Sequence, residues 1–341
     1  MNHSFYPTPS KTLWAAATAI RRFGIAYLLL AIVFLNAASP ATAQSPIREA
    51  SPGQEPITPI PAPRALHPQR LSLGERLFSD RRLSHGNTHS CLSCHDIGSN
   101  GASANAHDTL EGQPTALNTP TVFNASLSFR LNWEGNIRSL EEGVERSIGN
   151  PAIMASSPEE VASKLRADPE MVKQFREAYG REPNAAAVLD AIATYERSLV
   201  TPGSRFDRWL AGEDRAITPE ELSGYQLFKS LGCITCHQGV NVGGNLFQRH
   251  GIFHPLGSPE PVLLRVPSLR NVATTAPYFH DGSASTLSEA VKAMGIAQLD
   301  RELTDQQISA IVAFLNTLTG TYRGEVVRPA AAAPHAGTVR P

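Results

Sequence analysis

Apolar residues along this chain recur at three- and four-residue intervals, and strand-like alternation is scarce. Ser157-Pro158-Glu159-Glu160 stands ahead of Val161 and Leu165. A capping serine, a proline at the first helical position and a glutamate completing a capping box together mark a helix start. Thr218-Pro219-Glu220-Glu221 repeats that signal before Leu222, Tyr225, Leu227 and Phe228. Thr304 with Gln307 opens a further helix, whose Ile308, Ile311, Val312 and Leu315 share one face. The pattern predicts an all-α fold. Glycine-rich stretches at 97–101 and 239–244 interrupt it, reading as loops.

The two ends follow other patterns. Lys11, Arg21 and Arg22 precede an apolar run from Ile25 to Ala38, and Ala41-Thr42-Ala43 fits a small-residue cleavage site. Residues 1–43 therefore read as a signal peptide cleaved after Ala43. The apolar run is short for a bilayer span, and the surroundings of Arg21-Arg22 do not match a twin-arginine signal. Residues 44–64 carry Pro46, Pro52, Pro56, Pro59, Pro61 and Pro63 with few large apolar side chains, the composition of a linker with little to bury. Residues 321–341, where Pro329 and Pro334 bracket an alanine run, read as a flexible tail.

The chain has 341 residues, a formal net charge of −1 and 18% charged side chains, so charge gives no case for a nucleic-acid partner. Its four cysteines change the picture. They form Cys91-Leu92-Ser93-Cys94-His95 and Cys233-Ile234-Thr235-Cys236-His237, with no cysteine left over. In C-x-x-C-H the two thiols can add to the vinyl groups of a haem while the adjacent histidine reaches the iron. A thioredoxin-like redox pair needs a strand-helix-strand setting, and a zinc site would draw its ligands from both pairs. Neither accounts for a histidine immediately after each pair, so the motifs predict two covalent haem c groups. Their separation, from position 91 to 233, predicts two cytochrome c-like domains, 65–200 and 201–320, one around each haem. Covalent haem is attached outside the bacterial cytoplasm, which agrees with a signal peptide and a periplasmic location.

Four further phrases carry a resemblance. They are Leu77-Phe78-Ser79-Asp80-Arg81-Arg82-Leu83-Ser84, Asn118-Thr119-Pro120-Thr121, Leu199 through Asp207, and Thr275-Ala276-Pro277-Tyr278-Phe279-His280-Asp281-Gly282. With the haem motifs, they make the chain from about Leu71 to Gly320 resemble the bacterial di-haem cytochrome c peroxidases and their MauG-like relatives. The resemblance implies that peroxide reacts at the N-terminal haem and that electrons enter at the C-terminal haem from a small donor protein, a cytochrome c or a cupredoxin. It implies His95 and His237 as proximal ligands and Met294 as the second ligand of the electron-accepting iron; a thioether opposite histidine raises the potential. Trp133 falls where the family has a tryptophan between the haems. Asn118, Thr275 and Pro277 match positions that give oxygen ligands to a calcium ion, and a homodimer is the assembly the family suggests.

Two positions depart from the family pattern. Cleavage of a peroxide O–O bond wants a proton-transferring group near the open iron, and the family's glutamate aligns with Ile153. Glu141, Glu142 and Glu145 are nearby carboxylates with the look of an ordinary helix surface. The histidine that many members supply as sixth ligand of the N-terminal haem aligns with Leu110, three residues from His107. Either the loop shifts and His107 binds, or that iron is open as in MauG-like members, which is the preferred alternative. His85 and His89 read as solvated loop histidines, and His280 as a hydrogen-bonding residue near the C-terminal haem. The expected function is peroxide reduction; the rivals are a MauG-like oxidase of a protein or organic substrate, and an electron-transfer cytochrome.

Overall fold

The computed structural model describes residues 55–110, 113–257 and 260–330. The segment read as a signal peptide lies outside the described residues. Nine α-helices are present among the described residues: α1 (Pro68–Phe78), α2 (Leu140–Gly149), α3 (Pro158–Arg166), α4 (Pro169–Tyr179), α5 (Ala185–Ser198), α6 (Arg205–Leu210), α7 (Pro219–Ser230), α8 (Leu287–Leu299) and α9 (Asp305–Asn316). Strands are confined to three short antiparallel pairs: β1 (Thr109–Leu110) with β2 (Gln113–Pro114), β3 (Phe247–Arg249) with β4 (Leu263–Arg265), and β5 (Thr321–Tyr322) with β6 (Glu325–Val326). The fold is all-α, as expected.

The helix starts follow from their caps. Thr218 and Thr304 make full capping boxes with Glu221 and Gln307. At α3 the expected box is only half built. Ser157 accepts from the Glu160 amide, but the Glu160 carboxylate turns outward to Lys164 and His85.

Two hydrophobic cores form, and each is organised by one close helix crossing. In the first, α1 lies on α5 so closely that a Cβ on Gly74 would meet the Ala191 carbonyl oxygen at 2.0 Å. Leu77, Val188, Ile192 and Tyr195 pack around the crossing, with Phe78 edge-on to Tyr195 at 5.3 Å. In the second, α7 lies on α9, and a Cβ on Gly224 would meet the Ala310 carbonyl oxygen at 1.8 Å. Phe314, one turn beyond Ala310, gathers Phe206, Tyr225 and Phe228 around it at 5.0 to 5.2 Å between rings. Both crossings use the same device: no side chain on one helix, so that the backbones touch, and an aromatic ring beside the gap.

A second repeat lies in the loops. Pro120-Thr121-Val122-Phe123-Asn124 and Pro267-Ser268-Leu269-Arg270-Asn271 each end on an asparagine in the left-handed region, φ 61° and 60°, followed by a 3-10 turn. Asparagine tolerates that region better than other residues with a Cβ. The two asparagines meet at Thr201, whose hydroxyl takes bonds from Asn124 Nδ2 at 2.8 Å and Asn271 Nδ2 at 3.0 Å. This buried knot joins the two repeats.

Both terminal expectations are corrected for the described parts. The proline-rich segment from Glu55 is packed, not free: Ile57 and Ile60 are buried, Ile57 within the second core. Its backbone carbonyls serve as acceptors, Pro56 for the Gly239 amide and Thr58 for the buried Arg270 guanidinium, each at 2.8 Å. Extended proline-rich backbone makes few bonds with itself, which leaves its carbonyls available. After Thr321 the chain turns back through β5 and β6, setting Tyr322 against Phe123 at 5.0 Å and burying Val327 in the first core.

Candidate active site

Each C-x-x-C-H stretch folds as a single 3-10 turn, Cys91–Ser93 and Cys233–Thr235. Side chains three residues apart eclipse in such a turn, so both thiols of a pair project to one side. The histidine amide closes the turn, bonding back to the Cys91 carbonyl at 2.9 Å in one and to the Cys233 carbonyl at 3.0 Å in the other. The imidazole is then fixed from behind. His95 Nδ1 donates to the Gly101 carbonyl at 3.2 Å, and His237 Nδ1 to the Val242 carbonyl at 3.3 Å. A carbonyl only accepts, so Nδ1 carries the hydrogen and Nε2 keeps its lone pair for a metal. Burial pushes both imidazoles down, His237 to about 4, which keeps them neutral and ligating at neutral pH.

The glycine-rich loops earn their composition here. They carry the carbonyls that orient the histidines, and a Cβ on Gly243, at φ +131°, would meet the Pro267 carbonyl oxygen at 2.1 Å. Burial also raises the thiols, Cys94 and Cys233 to about 11. They are thiols at neutral pH, unlike the low-pKa thiolate of a redox dithiol. Both turns open onto one cavity of about 1110 Å3, lined by all four cysteines and both histidines. Single small-molecule pockets run to about 1000 Å3, and the donor set repeats at both ends. Paired thiols, a bare Nε2 and this volume fit two covalent haems.

The other expected residues fall into two groups. Met294, on α8, lines the cavity; Met154 lines it as well, from the first core, whereas Met171 belongs to that core and not to the cavity wall. Trp133 forms a buried part of the cavity wall; its Nε1 donates to the Asn118 carbonyl at 2.8 Å, and its ring stands 6.4 Å from that of His280. Asn118, Thr275 and Pro277 line the same cavity, and the Asn118 amide donates to the His280 carbonyl at 2.8 Å. His107 is not brought to the site. It is exposed, its Nδ1 donates to the Thr115 carbonyl at 2.8 Å, and it does not line the cavity. Its Nδ1 helps to hold its own loop.

Ile153 does line the cavity, so an apolar side chain stands where a proton-transferring group was sought. Glu141, Glu142 and Glu145 do not line it. Glu141 pairs with Arg197, and Glu142 with Arg146 at 2.7 Å. His85 is exposed and pairs with Glu160 at 3.0 Å.

Two residues of the cavity wall escaped the sequence reading. Glu196, near the end of α5, is the only acidic side chain lining the cavity among the described residues. Burial pushes its carboxyl up to about 8, more than the nearby Arg197 draws it down. Its helical spacing held a signal: it lies four residues after Ile192 and three before Leu199, both fully buried, so it shares their face. His250, just after β3, lines the cavity against His280. No local pattern marked it.

Fold and site together define a helical protein with two cytochrome c-like halves that holds two haem c groups. The family model described as di-haem cytochrome c peroxidase matches residues 68–215, and that for cytochrome c matches residues 222–319. A cytochrome c551 peroxidase of Nitrosomonas europaea is 41% identical over 284 residues, 78% of this chain and 84% of the relative. A cytochrome c551 peroxidase of Pseudomonas aeruginosa is 37% identical over 273 residues, 74% of this chain and 79% of the relative. The crystal structure of a MauG-like protein associated with microbial copper homeostasis superposes with a TM-score of 0.66 at 26% identity, covering 80% of this chain and 95% of that one. The chain belongs to the di-haem cytochrome c peroxidase family.

Proposed function

We propose that this chain is a periplasmic peroxidase that reduces hydrogen peroxide to two waters, using two protons and two electrons delivered by a small cytochrome c or cupredoxin. The observation that carries the reading is the pair of C-x-x-C-H turns, each with its histidine tethered through Nδ1, opening onto a single cavity with Trp133 in its wall. Identity of 41% to a cytochrome c551 peroxidase supports the choice of reaction. When bound, the haems supply electron storage and the iron at which peroxide is reduced. Cys91, Cys94, Cys233 and Cys236 anchor them by thioethers, and His95 and His237 bind iron through Nε2. Met294 completes the ligation in the second half. Trp133, bonded to Asn118 and beside His280, carries electrons between the two sites. The Asn118 side-chain oxygen and the Thr275 and Pro277 carbonyls hold a calcium ion whose remaining ligands are waters. Glu196 holds the proton that peroxide cleavage needs, a role Ile153 cannot take.

One observation favours a second reading. An apolar Ile153 and a first chamber without His107 suit a MauG-like oxidase, in which stored oxidising equivalents are spent on a protein or organic substrate. The test is steady-state peroxide turnover with a reduced donor cytochrome, alongside electron paramagnetic resonance of the fully oxidised, calcium-loaded protein. Rapid turnover and a high-spin ferric signal present before any reduction are expected. Failure to turn over, even after prior reduction, would overturn the peroxidase reading in favour of electron transfer alone. Oxidised organic product in place of donor oxidation would select the MauG-like one.

A further inference from the structure

Two guanidinium groups are buried near the second haem motif, and only one of them is answered inside the protein. Arg270 is fully buried and does not line the cavity; it donates to the Asp207 carboxylate and to the Thr58 and Val240 carbonyls, each at 2.8 Å. Arg265, on β4, is only 8% exposed and does line the cavity. Its Nε donates to the Asn132 carbonyl at 3.0 Å, and its Nη1 stands 3.7 Å from the place a Cβ on Gly244 would take. An arginine has five N–H donors, four of them on the Nη atoms. Among the described residues no carboxylate pairs with those four, and burial draws the guanidinium below its ordinary value with no acid to offset it. Glu196, the acid of the cavity wall, feels Arg197 and Glu141 rather than Arg265. A charge is buried at little cost only when it is paired, so the open fork of Arg265 marks a place for an anion in the cavity.

The position of Arg265 says which anion. On one side is the loop that tethers His237: the Gly244 amide of that loop donates to the carbonyl of Val266, the next residue after Arg265, at 2.8 Å. On the other side Arg265 holds the loop of Trp133, through its amide to the Trp133 carbonyl at 2.7 Å and through Nε to Asn132. Phe247, paired with Arg265 across the β3–β4 hairpin, packs on Gly135 of that loop so closely that a Cβ there would meet its ring at 2.2 Å. The fork is therefore carried on a braced hairpin between the His237 loop and Trp133. The group that the second haem motif would anchor in this cavity, a haem, carries two carboxylate side chains. A planar guanidinium fork matches a carboxylate in both charge and shape.

We propose that Arg265 binds a carboxylate side chain of the haem attached at Cys233 and Cys236 through its Nη donors, while its Nε and its amide hold the loop of Trp133. One residue thus anchors the haem edge and the tryptophan together. Its positive charge, in a wall shielded from water, disfavours the ferric state, which carries one more positive charge than the ferrous, and so raises the potential of this haem. This inference rests on the reading that a covalent haem fills the second half of the cavity.

The experiment uses the holoprotein. Haem content per chain is measured first, because a wild-type protein without haem at Cys233 and Cys236 would overturn the underlying reading and this inference with it; a loaded protein tests the inference alone. The midpoint potential of that haem is then measured by spectroelectrochemistry at about pH 8, where an unpaired carboxylate is ionised, in the wild type and in two variants that separate the two bonds. Arg265→Gln keeps an N–H donor at the position of Nε, for Asn132, and loses the charged fork. Arg265→Lys keeps the charge and loses the Nε donor. The reduction equilibrium constant of the glutamine variant is expected to fall about tenfold, a potential lower by about 59 mV for one electron, and the lysine variant is expected to stay closer to the wild type. A residue that only braced the Trp133 loop would give the opposite order. That order, or a glutamine variant equal to the wild type, would overturn the proposal. The wild type also supplies a test that needs no variant: the bending band of the haem carboxylates in its resonance Raman spectrum is expected at the position of a hydrogen-bonded carboxylate, and a band at the free position would overturn the proposal. So would a wild-type potential that moves with added chloride at constant ionic strength, since a free anion would then occupy the fork.

Discussion

The two halves of this protein are built alike behind their haem motifs and differently in front of them. Behind, Gly74 on Ala191 and Gly224 on Ala310 set the same helix crossing, and the histidine of each motif is tethered to a carbonyl of the loop that follows it. In front, the first half offers Ile153 and Glu196, and the second offers Met294, His250 and His280. The scaffold therefore fixes one imidazole in each half. What faces that imidazole is decided by loops and helix faces that the scaffold leaves free, which suits the proposed division of labour between a reacting site and an electron-accepting one.

The sharpest way to test that contrast is Glu196→Gln. Loss of a group that moves a proton in the reaction typically costs about 10²-fold or more, so peroxide turnover should fall by that order while reduction of the second half's haem by the donor is unchanged. The pH dependence has a definite sign. Burial raises the Glu196 carboxyl from 4.5 to about 8, so the folded protein holds a proton there that the unfolded chain has already lost. Stability should decrease as pH rises from about 4.5 through about 8, and the glutamine variant should lack that decline. Urea unfolding of both proteins across this range checks it. An identical decline in the variant would remove Glu196 as the source and return the first chamber to the question of how an apolar wall handles peroxide.

How much of this was legible in the sequence depended on how local the cause is. C-x-x-C-H is read directly, because one turn of backbone positions both thiols and the histidine. The caps before α7 and α9 are equally local. Glu196 and His250 were missed because their importance comes from the cavity that distant elements enclose. The strap from Glu55 to Ile60 was read as a linker because two isoleucines among prolines form no periodic pattern, and Arg270, which bonds the Thr58 carbonyl, lies more than two hundred residues away. The repeat of Pro120 to Asn124 in Pro267 to Asn271 was present in the sequence, but only its left-handed asparagines give it meaning.

The shared scaffold can be broken in either half by one methyl group. Gly74→Ala and Gly224→Ala each drive a Cβ into a carbonyl oxygen, at 2.0 and 1.8 Å. Helix backbone cannot yield as a flexible side chain does, so each should lose about 1–3 kcal/mol by overpacking. If the halves are independent cores, Gly74→Ala should leave the absorption of the second half's haem intact while the first core loosens, and Gly224→Ala should do the reverse. Thermal unfolding followed at each haem's own bands distinguishes this from a single cooperative unit, in which both signals would shift together.

The smallest expected difference separates two nearly identical helix starts. At Thr218-Pro219-Glu220-Glu221 the last carboxylate reaches back to the Thr218 amide at 2.8 Å and pairs with Arg205, and its side chain is only 11% exposed. Burial raises that acid, but the bonds from Arg205 and Thr218 outweigh it and leave it below the ordinary value. At Ser157-Pro158-Glu159-Glu160 the carboxylate instead faces Lys164 at 2.9 Å and His85 at 3.0 Å, with its side chain 32% exposed. Lys164 first and His85 second draw it down from 4.5 to about 2. A depressed acid stabilises the fold above its unfolded value, and the gain is lost as pH falls toward the folded one. Water screens the Glu160 contacts, so Glu160→Gln should cost about 0.5 kcal/mol or less near neutral pH. The loss should shrink as pH drops from about 4.5 toward 2. Glu221→Ala should cost more, because it also removes the acceptor for the Thr218 amide at the helix start. Urea midpoints of the two variants at about pH 7 and pH 3 decide the matter. Equal losses would mean that the cap contributes nothing beyond charge, and that the two starts, different in geometry, are the same in energy.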